Sequence, residues 1–194
     1  MSRQQHAHSA PLMAFDRDGV INALVLGEAG PRAPWTVQEV SVLSGSREAI
    51  EAAAAHGFRI AVVTNQPDIA RGLVAEVAVN DINGLIRSQI PAIEEFVVCP
   101  HDNCDRCSCR KPKPGMLLEA AAHFGSTPAA SWMVGDRWTD IAAGQAAGFK
   151  TVLICDERSG PSNVAGLAQD DLVADMVVNS VVEAVAAILR YESD

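Results

Sequence analysis

The 194-residue chain is predicted to be an α/β protein, an open parallel sheet flanked by helices. Three observations predict it. Short Val- and Ile-rich runs alternate with helical stretches almost throughout. The runs mostly lack polar alternation, as expected where helices cover both sheet faces. Acidic clusters end two of the runs, where ligands bind in open α/β sheets.

The candidate strands are Leu12 to Phe15, Arg59 to Val63, Glu95 to Val98, Ser131 to Val134, Thr151 to Ile154 and Asp175 to Val178. Candidate helices between them are Ser46 to His56, Leu73 to Ile90, Gly115 to Phe124, Thr139 to Ala147 and Ser180 to Arg190. The first helix carries Ala49, Ile50, Ala53 and Ala54 on one stripe and closes at Gly57. Pro114 suits the opening of the third, and Gly148 ends the fourth just before a strand. Such repetition requires right-handed crossovers, as in Rossmann-like sheets. Two segments break the rhythm. Residues 19–44, with Gly27, Gly30, Pro31, Pro34 and the run Leu24-Val25-Leu26, read as a projecting loop or small hairpin. Residues 99–114 form a cysteine-rich loop. Neither is long enough for an independent cap, so residues 1–194 are expected to form one domain with an open, loop-walled site for a small substrate.

An apolar fraction of 48% fits a packed interior and argues against disorder. The formal charge of −9 offers no general attraction to nucleic acid, and no stretch approaches a membrane span. The polar start, Met1 to Ser9, lacks the apolar segment of a signal peptide, so a cytoplasmic location is expected. A monomer or weak dimer is expected. Four of the five cysteines are bunched between Cys99 and Cys109, a poor disulfide framework but a good metal site. The fifth, Cys155, follows an apolar run and reads as a small buried or half-buried residue.

Phe15-Asp16-Arg17-Asp18-Gly19 ends the first apolar run, and Gly135-Asp136-Arg137-Trp138-Thr139-Asp140 ends a later one. If those runs are neighbouring strands, distant carboxylates meet at one sheet edge, where a divalent cation and a phosphoryl group can be handled. A turn after Asp16 would let the Asp18 carbonyl face the metal and its side chain face the substrate, with Gly19 relaxing the bend. Alone, the motif is equally an acidic turn capping a helix. Thr64-Asn65-Gln66 offers a hydroxyl and an amide to phosphoryl oxygens at another strand tip, or is a turn into Pro67. Arg110-Lys111 supplies fixed positive charge or is solvated surface. Asp136 can join Asp16 on Mg²⁺. Asp140 ligates, orients a metal-bound water, or caps the helix that follows.

Cys99-Pro100-His101 and Cys107-Ser108-Cys109 provide three thiolates and one imidazole, enough for a closed tetrahedral Zn²⁺ site of structural type. Cys104 lies between the two pairs as an extra. Such a site would fix the loop that carries Arg110 and Lys111.

Taken together, these residues resemble the haloacid dehalogenase-like phosphatases over nearly the whole chain. The first motif is Asp16-Arg17-Asp18-Gly19-Val20-Ile21-Asn22, the second Thr64-Asn65-Gln66, and the acidic motif Gly135-Asp136-Arg137. The resemblance implies Asp16 as nucleophile, Asp18 as general acid/base, Thr64 on the phosphoryl group, Lys111 as the neutralising cation and Asp16, Asp18 and Asp136 around Mg²⁺. Arg137 stands where the family often has a second acid, which leaves Asp140 or water as the last Mg²⁺ contact. The cysteine loop, running on through Arg110-Lys111-Pro112-Lys113-Pro114-Gly115-Met116, resembles the zinc-containing subgroup of D-glycero-D-manno-heptose 1,7-bisphosphate 7-phosphatases and histidinol-phosphate phosphatases. That implies zinc ligands Cys99, His101, Cys107 and Cys109, and a small phosphorylated metabolite as substrate, a sugar bisphosphate first. Arg71, Arg110 and Lys113 are candidate contacts for a second phosphate, or ordinary surface charge. Histidinol phosphate is the competing substrate, and a catalytically degenerate zinc-stabilised binding domain the competing class.

Overall fold

The computed structural model describes residues 10–28, 30–155 and 173–193. Met1 to Ser9, read above as a polar start, lie outside the described residues. Six parallel strands form the main sheet: β1 (Leu12–Phe15), β4 (Arg59–Asn65), β5 (Glu95–Cys99), β6 (Trp132–Gly135), β7 (Lys150–Ile154) and β8 (Met176–Val178). Their order is β5-β4-β1-β6-β7-β8, so the first strand stands inside the sheet between β4 and β6. Phe15 lies opposite both Val62 and Val134, which sets the three strand tips side by side.

Period-two alternation divides the interior into two layers. Met13, Phe15, Ile60 and Val62 pack with α1 (Ser46–Ala55), α3 (Glu76–Gln89) and α6 (Val181–Tyr191). Leu12, Ala14, Ala61 and Val63 pack with α4 (Gly115–Phe124) and α5 (Trp138–Ala147). Burial on both faces explains why these strands read as unbroken apolar runs. Among the described residues no helix is long and apolar enough to cross a membrane.

The remaining differences from the sequence reading are local. The helix expected over Leu73 to Ile90 begins at Glu76, after a separate short helix α2 (Pro67–Ala70). Gly72, at φ +70°, turns the chain between them, and Leu73 is exposed, which removes the packing that would extend α3 backwards. Residues 19–44 hold a small antiparallel hairpin of β2 (Val25–Gly27) and β3 (Gly30–Arg32), then a 3-10 turn at Val37–Glu39. No large cap domain stands over the sheet among the described residues. Strands β4 and β5 run past their expected ends to Asn65 and Cys99, which carries both residues onto the sheet edge.

Candidate active site

Asp16 follows the last residue of β1, and its backbone N–H donates to the Val134 carbonyl at 2.9 Å. Asp136 follows β6, and Thr64 stands near the end of β4. Three elements thus deliver Asp16, Thr64 and Asp136 to one place, all nearly buried. Lys111 reaches the same place from the cysteine loop. Its ammonium stands 2.8 Å from Asp16 Oδ1 and 2.7 Å from Asp140 Oδ1, and donates to the Val63 carbonyl at 2.9 Å.

Asn65 holds that lysine by its main chain. Its Nδ2 donates to the Lys111 carbonyl, and its Oδ1 accepts the Lys111 N–H, both at 3.1 Å. The amide that the sequence reading gave to the substrate is therefore committed on both sides to the loop. Asp140 also serves two purposes: beside its ion pair, its Oδ2 accepts the Arg137 N–H at 3.0 Å and caps the start of α5.

Asp16, Asp136 and Asp140 each bring a carboxylate oxygen within 4.8 Å of the others. Burial pushes Asp16 up to about 6, against the pull of Lys111. Burial, then the negative charges of Asp16 and Asp140, pushes Asp136 up to about 8. Burial opposes the Lys111 charge, but Asp140 and Asp16 together hold the ammonium above its usual range. One lysine against three enclosed carboxylates leaves the cluster short of positive charge, and hard oxygen donors suit Mg²⁺. Close approach is built in. A Cβ on Gly19, at φ +93°, would fall 2.5 Å from Asp136 Oδ2. Arg137, half-exposed, lies 3.9 Å from Asp136 Oδ1.

The Asp18 carboxylate is not part of that cluster. It accepts from Arg17, Asn22 and Gln66, and from Thr64 Oγ1 at 3.5 Å. Sequence reasoning gave Arg17, Asn22 and Asn83 no role. A signal for Asn83 existed, a polar residue on the apolar stripe Val79-Ile82-Ile86 of α3.

The cleft over this edge, about 780 Å³, is walled by Pro31 and Arg32 of the hairpin, α2, Arg110, and Trp138 at the start of α5. Two of its arginines differ. Arg71 is tied to Asp102 at 2.8 and 2.9 Å and to Asp68 at 3.1 Å. Arg110 donates to neutral acceptors, Asn103 Oδ1 at 2.8 Å and the His101 carbonyl at 3.2 Å. Trp35 Nε1 donates to Asp68 Oδ2 at 2.9 Å, joining the hairpin segment to α2 and, through Arg71, to the cysteine loop.

In that loop the four residues expected to hold metal do converge. Cys99 Sγ lies 3.1 Å from Cys109 Sγ and 3.7 Å from Cys107 Sγ, and His101 Nδ1 lies 3.3 Å from Cys109 Sγ. Tetrahedral bonding at zinc distances gives S···S edges of about 3.8 Å and S···N edges of about 3.6 Å, so the cage suits a tetrahedral ion. Burial pushes the Cys99 thiol up to about 12, which favours a thiolate only beside a strong positive charge. Cys104 is exposed, and its Sγ lies 3.9 Å from Asp105 Oδ1.

This topology, with acids at the tips of β1 and β6 and a lysine between them, defines the class. Residues 108–184 match the HAD-hydrolase-like family model, and the chain belongs to the HAD-like hydrolases, as a phosphatase related to the heptose-bisphosphate phosphatases. Within that class it is 37% identical over 150 residues to D-glycero-beta-D-manno-heptose-1,7-bisphosphate 7-phosphatase of Pseudomonas aeruginosa, covering 75% of this chain and 82% of the relative. It is also 37% identical over 132 residues to D-glycero-alpha-D-manno-heptose-1,7-bisphosphate 7-phosphatase of Mycobacterium tuberculosis, covering 66% and 67%. The D,D-heptose 1,7-bisphosphate phosphatase of B. bronchiseptica, solved with magnesium and phosphate, superposes with a TM-score of 0.79 at 27% identity, over 93% of this chain and 99% of that one.

Proposed function

We propose that the chain, acting as one domain, removes the 7-phosphate of a D-glycero-D-manno-heptose 1,7-bisphosphate. The observation that carries the phosphoryl transfer is the buried pairing of Asp16 with Lys111 at an inner strand tip, beside Asp136 and Asp140, and the likeness to heptose-bisphosphate phosphatases supports the substrate. Asp16, Asp136 and the Asp18 main chain would hold Mg²⁺, with Asp140 adjacent. When bound, that ion offsets the negative charge that otherwise keeps a carboxylate and a phosphate monoester apart.

Asp16 attacks phosphorus in line, forming an aspartyl-phosphate as the ester bond breaks. Asp18 gives its proton to the leaving sugar oxygen, then takes one from the water that cleaves the acyl-phosphate. Lys111 stabilises the charge shared by Asp16 and the phosphoryl oxygens, and Thr64 donates to one of those oxygens. Arg110, whose hydrogen-bond acceptors Asn103 and the His101 carbonyl are neutral, is the cation best placed for the second phosphate, and Arg71 shapes the rim beside it. Cys99, His101, Cys107 and Cys109 hold a structural Zn²⁺ that fixes Arg110 and Lys111 in place.

The test is steady-state phosphate release with Mg²⁺ from both anomers of the heptose bisphosphate, histidinol phosphate and simple sugar phosphates. A heptose bisphosphate is expected to give the highest kcat/KM, and Asp16→Asn to abolish release without loss of fold. A preference for histidinol phosphate overturns the substrate, and no release from any ester overturns the catalytic reading in favour of a binding domain.

A further inference from the structure

The steps above leave unused the residue between the two aspartates. We propose that Arg17, braced by Asn83, is the positioning residue that fixes the Asp18 carboxylate; this rests on the reading of Asp18 as acid/base.

Arg17 is 0% exposed, an uncommon place for a guanidinium. Its Nε donates to Asp18 Oδ1 at 3.2 Å and its Nη2 to Oδ2 at 3.0 Å, so both carboxylate oxygens are gripped by one planar fork. The outer arm, Nη1, donates to Asn83 Oδ1 at 2.8 Å. Asn83 sits on the buried stripe of α3 with Val79, Ile82 and Ile86, where a polar side chain is costly without a partner. Arg17 is that partner. A helix on one sheet face thereby sets the plane of a carboxylate at the sheet edge.

The other donors to Asp18 are of a different kind. Gln66 Nε2 lies 2.7 Å from Asp18 Oδ2 but also 2.8 Å from Thr64 Oγ1, so it can release the carboxylate and keep a hydrogen bond. Asn22 Nδ2 is shared between Asp18 Oδ1 and the Ala23 carbonyl, both at 3.0 Å. A carboxyl that carries a proton to a leaving oxygen must give up an acceptor position at that oxygen. Gln66, Asn22 and the Thr64 hydroxyl, 3.5 Å from Asp18 Oδ2, are the donors able to yield. Arg17 cannot turn to solvent, and its buried charge holds it against Asp18. It therefore keeps the carboxylate aimed while the other bonds change.

The test compares Asn83→Leu, Asn83→Asp and Arg17→Lys with Asp18→Asn as the reference for a lost acid/base. It uses the full chain with Mg²⁺, on p-nitrophenyl phosphate and on a hexose 6-phosphate. Nitrophenolate leaves without an acid, whereas a sugar alkoxide does not, and the later attack of water needs the base with either ester. Asp18→Asn is thus expected to give a burst of about one nitrophenolate per site, then slow turnover. Asn83→Leu and Arg17→Lys are expected to show the same burst. Their kcat on the sugar ester should fall about 10–100-fold, more than on the aryl ester, with KM changed less than about threefold. Asn83→Asp keeps an acceptor for Nη1 and is expected to recover at least about tenfold of the Asn83→Leu loss. Circular dichroism checks each fold, and if Arg17→Lys is unfolded the Asn83 pair decides. A burst in Asp18→Asn but none in Asn83→Leu, or equal losses on the two esters, overturns the role of Arg17 and leaves Asp18 standing. No burst and no difference between esters in Asp18→Asn overturns the acid/base reading, and the proposal for Arg17 falls with it.

Discussion

Lys111 and Asp16 form a buried ion pair, Nζ to Oδ1 2.8 Å, with the lysine side chain 2% and the aspartate side chain 10% exposed. The same ammonium meets Asp140 at 2.7 Å. Removing it leaves enclosed carboxylates facing one another. Lys111→Met is expected to lower kcat at least about 10²–10³-fold, by loss of a preorganised cation at the developing charge. It should also destabilise the fold by about 3–5 kcal/mol, as when one partner of a buried pair is deleted. Phosphate release and urea unfolding measure the two; an active, equally stable variant would contradict the geometry.

The carboxylate cluster makes stability depend on pH in an unusual direction. Burial pushes Asp16 up to about 6, and burial with its charged neighbours pushes Asp136 up to about 8. Both lie above the ordinary 3.8, so the folded protein binds these protons more tightly than the unfolded chain. Their contribution is complete below about pH 4 and is lost as pH rises through about 6 and about 8. In magnesium-free buffer Tm is expected to fall between about pH 5 and about pH 8, and added Mg²⁺ to raise it more at the upper end. Thermal melts across that range check the sign.

The cysteine cage separates its members from the bystander. Cys107→Ser and Cys109→Ser are expected to reduce bound zinc from about one ion per chain to a small fraction, while Cys104→Ser leaves it unchanged. Elemental analysis of purified protein is the measurement. Equal zinc in all three would remove the tetrahedral assignment.

Gly19 has two reasons to lack a side chain, its φ of +93° and the 2.5 Å from an added Cβ to Asp136 Oδ2. Gly19→Ala is expected to cost about 1–3 kcal/mol and to push the acidic motif away from the first one. The Mg²⁺ concentration for half-maximal activity should rise with it. A variant with unaltered Mg²⁺ dependence would show that the two motifs do not depend on this close approach.

Much of the strand frame was legible because burial on both faces leaves a simple mark, an unbroken apolar run. Those runs end at Asp16, Thr64 and Asp136, and parallel pairing alone brings their tips together. The side-chain partners were not legible. Asn65 carries the same amide whether it faces a ligand or clamps Lys111, and only the tertiary placement of the loop decides. Arg71 reads as a contact for a second phosphate or as ordinary surface charge, and Asp102 and Asp68 take its donors. The break before α3 escaped for a similar reason: Leu73 suits a helical pattern, but it stands exposed just after the turn at Gly72.

The bond from the Trp35 indole to Asp68, and onward through Arg71 to Asp102, has an optical consequence. An indole whose N–H is held by a carboxylate at the rim will change its emission when that carboxylate is freed. Trp35 shares the chain with Trp132 and Trp138, so a variant keeping Trp35 alone would let loss of metal from the proposed cysteine cage be followed by light without any label.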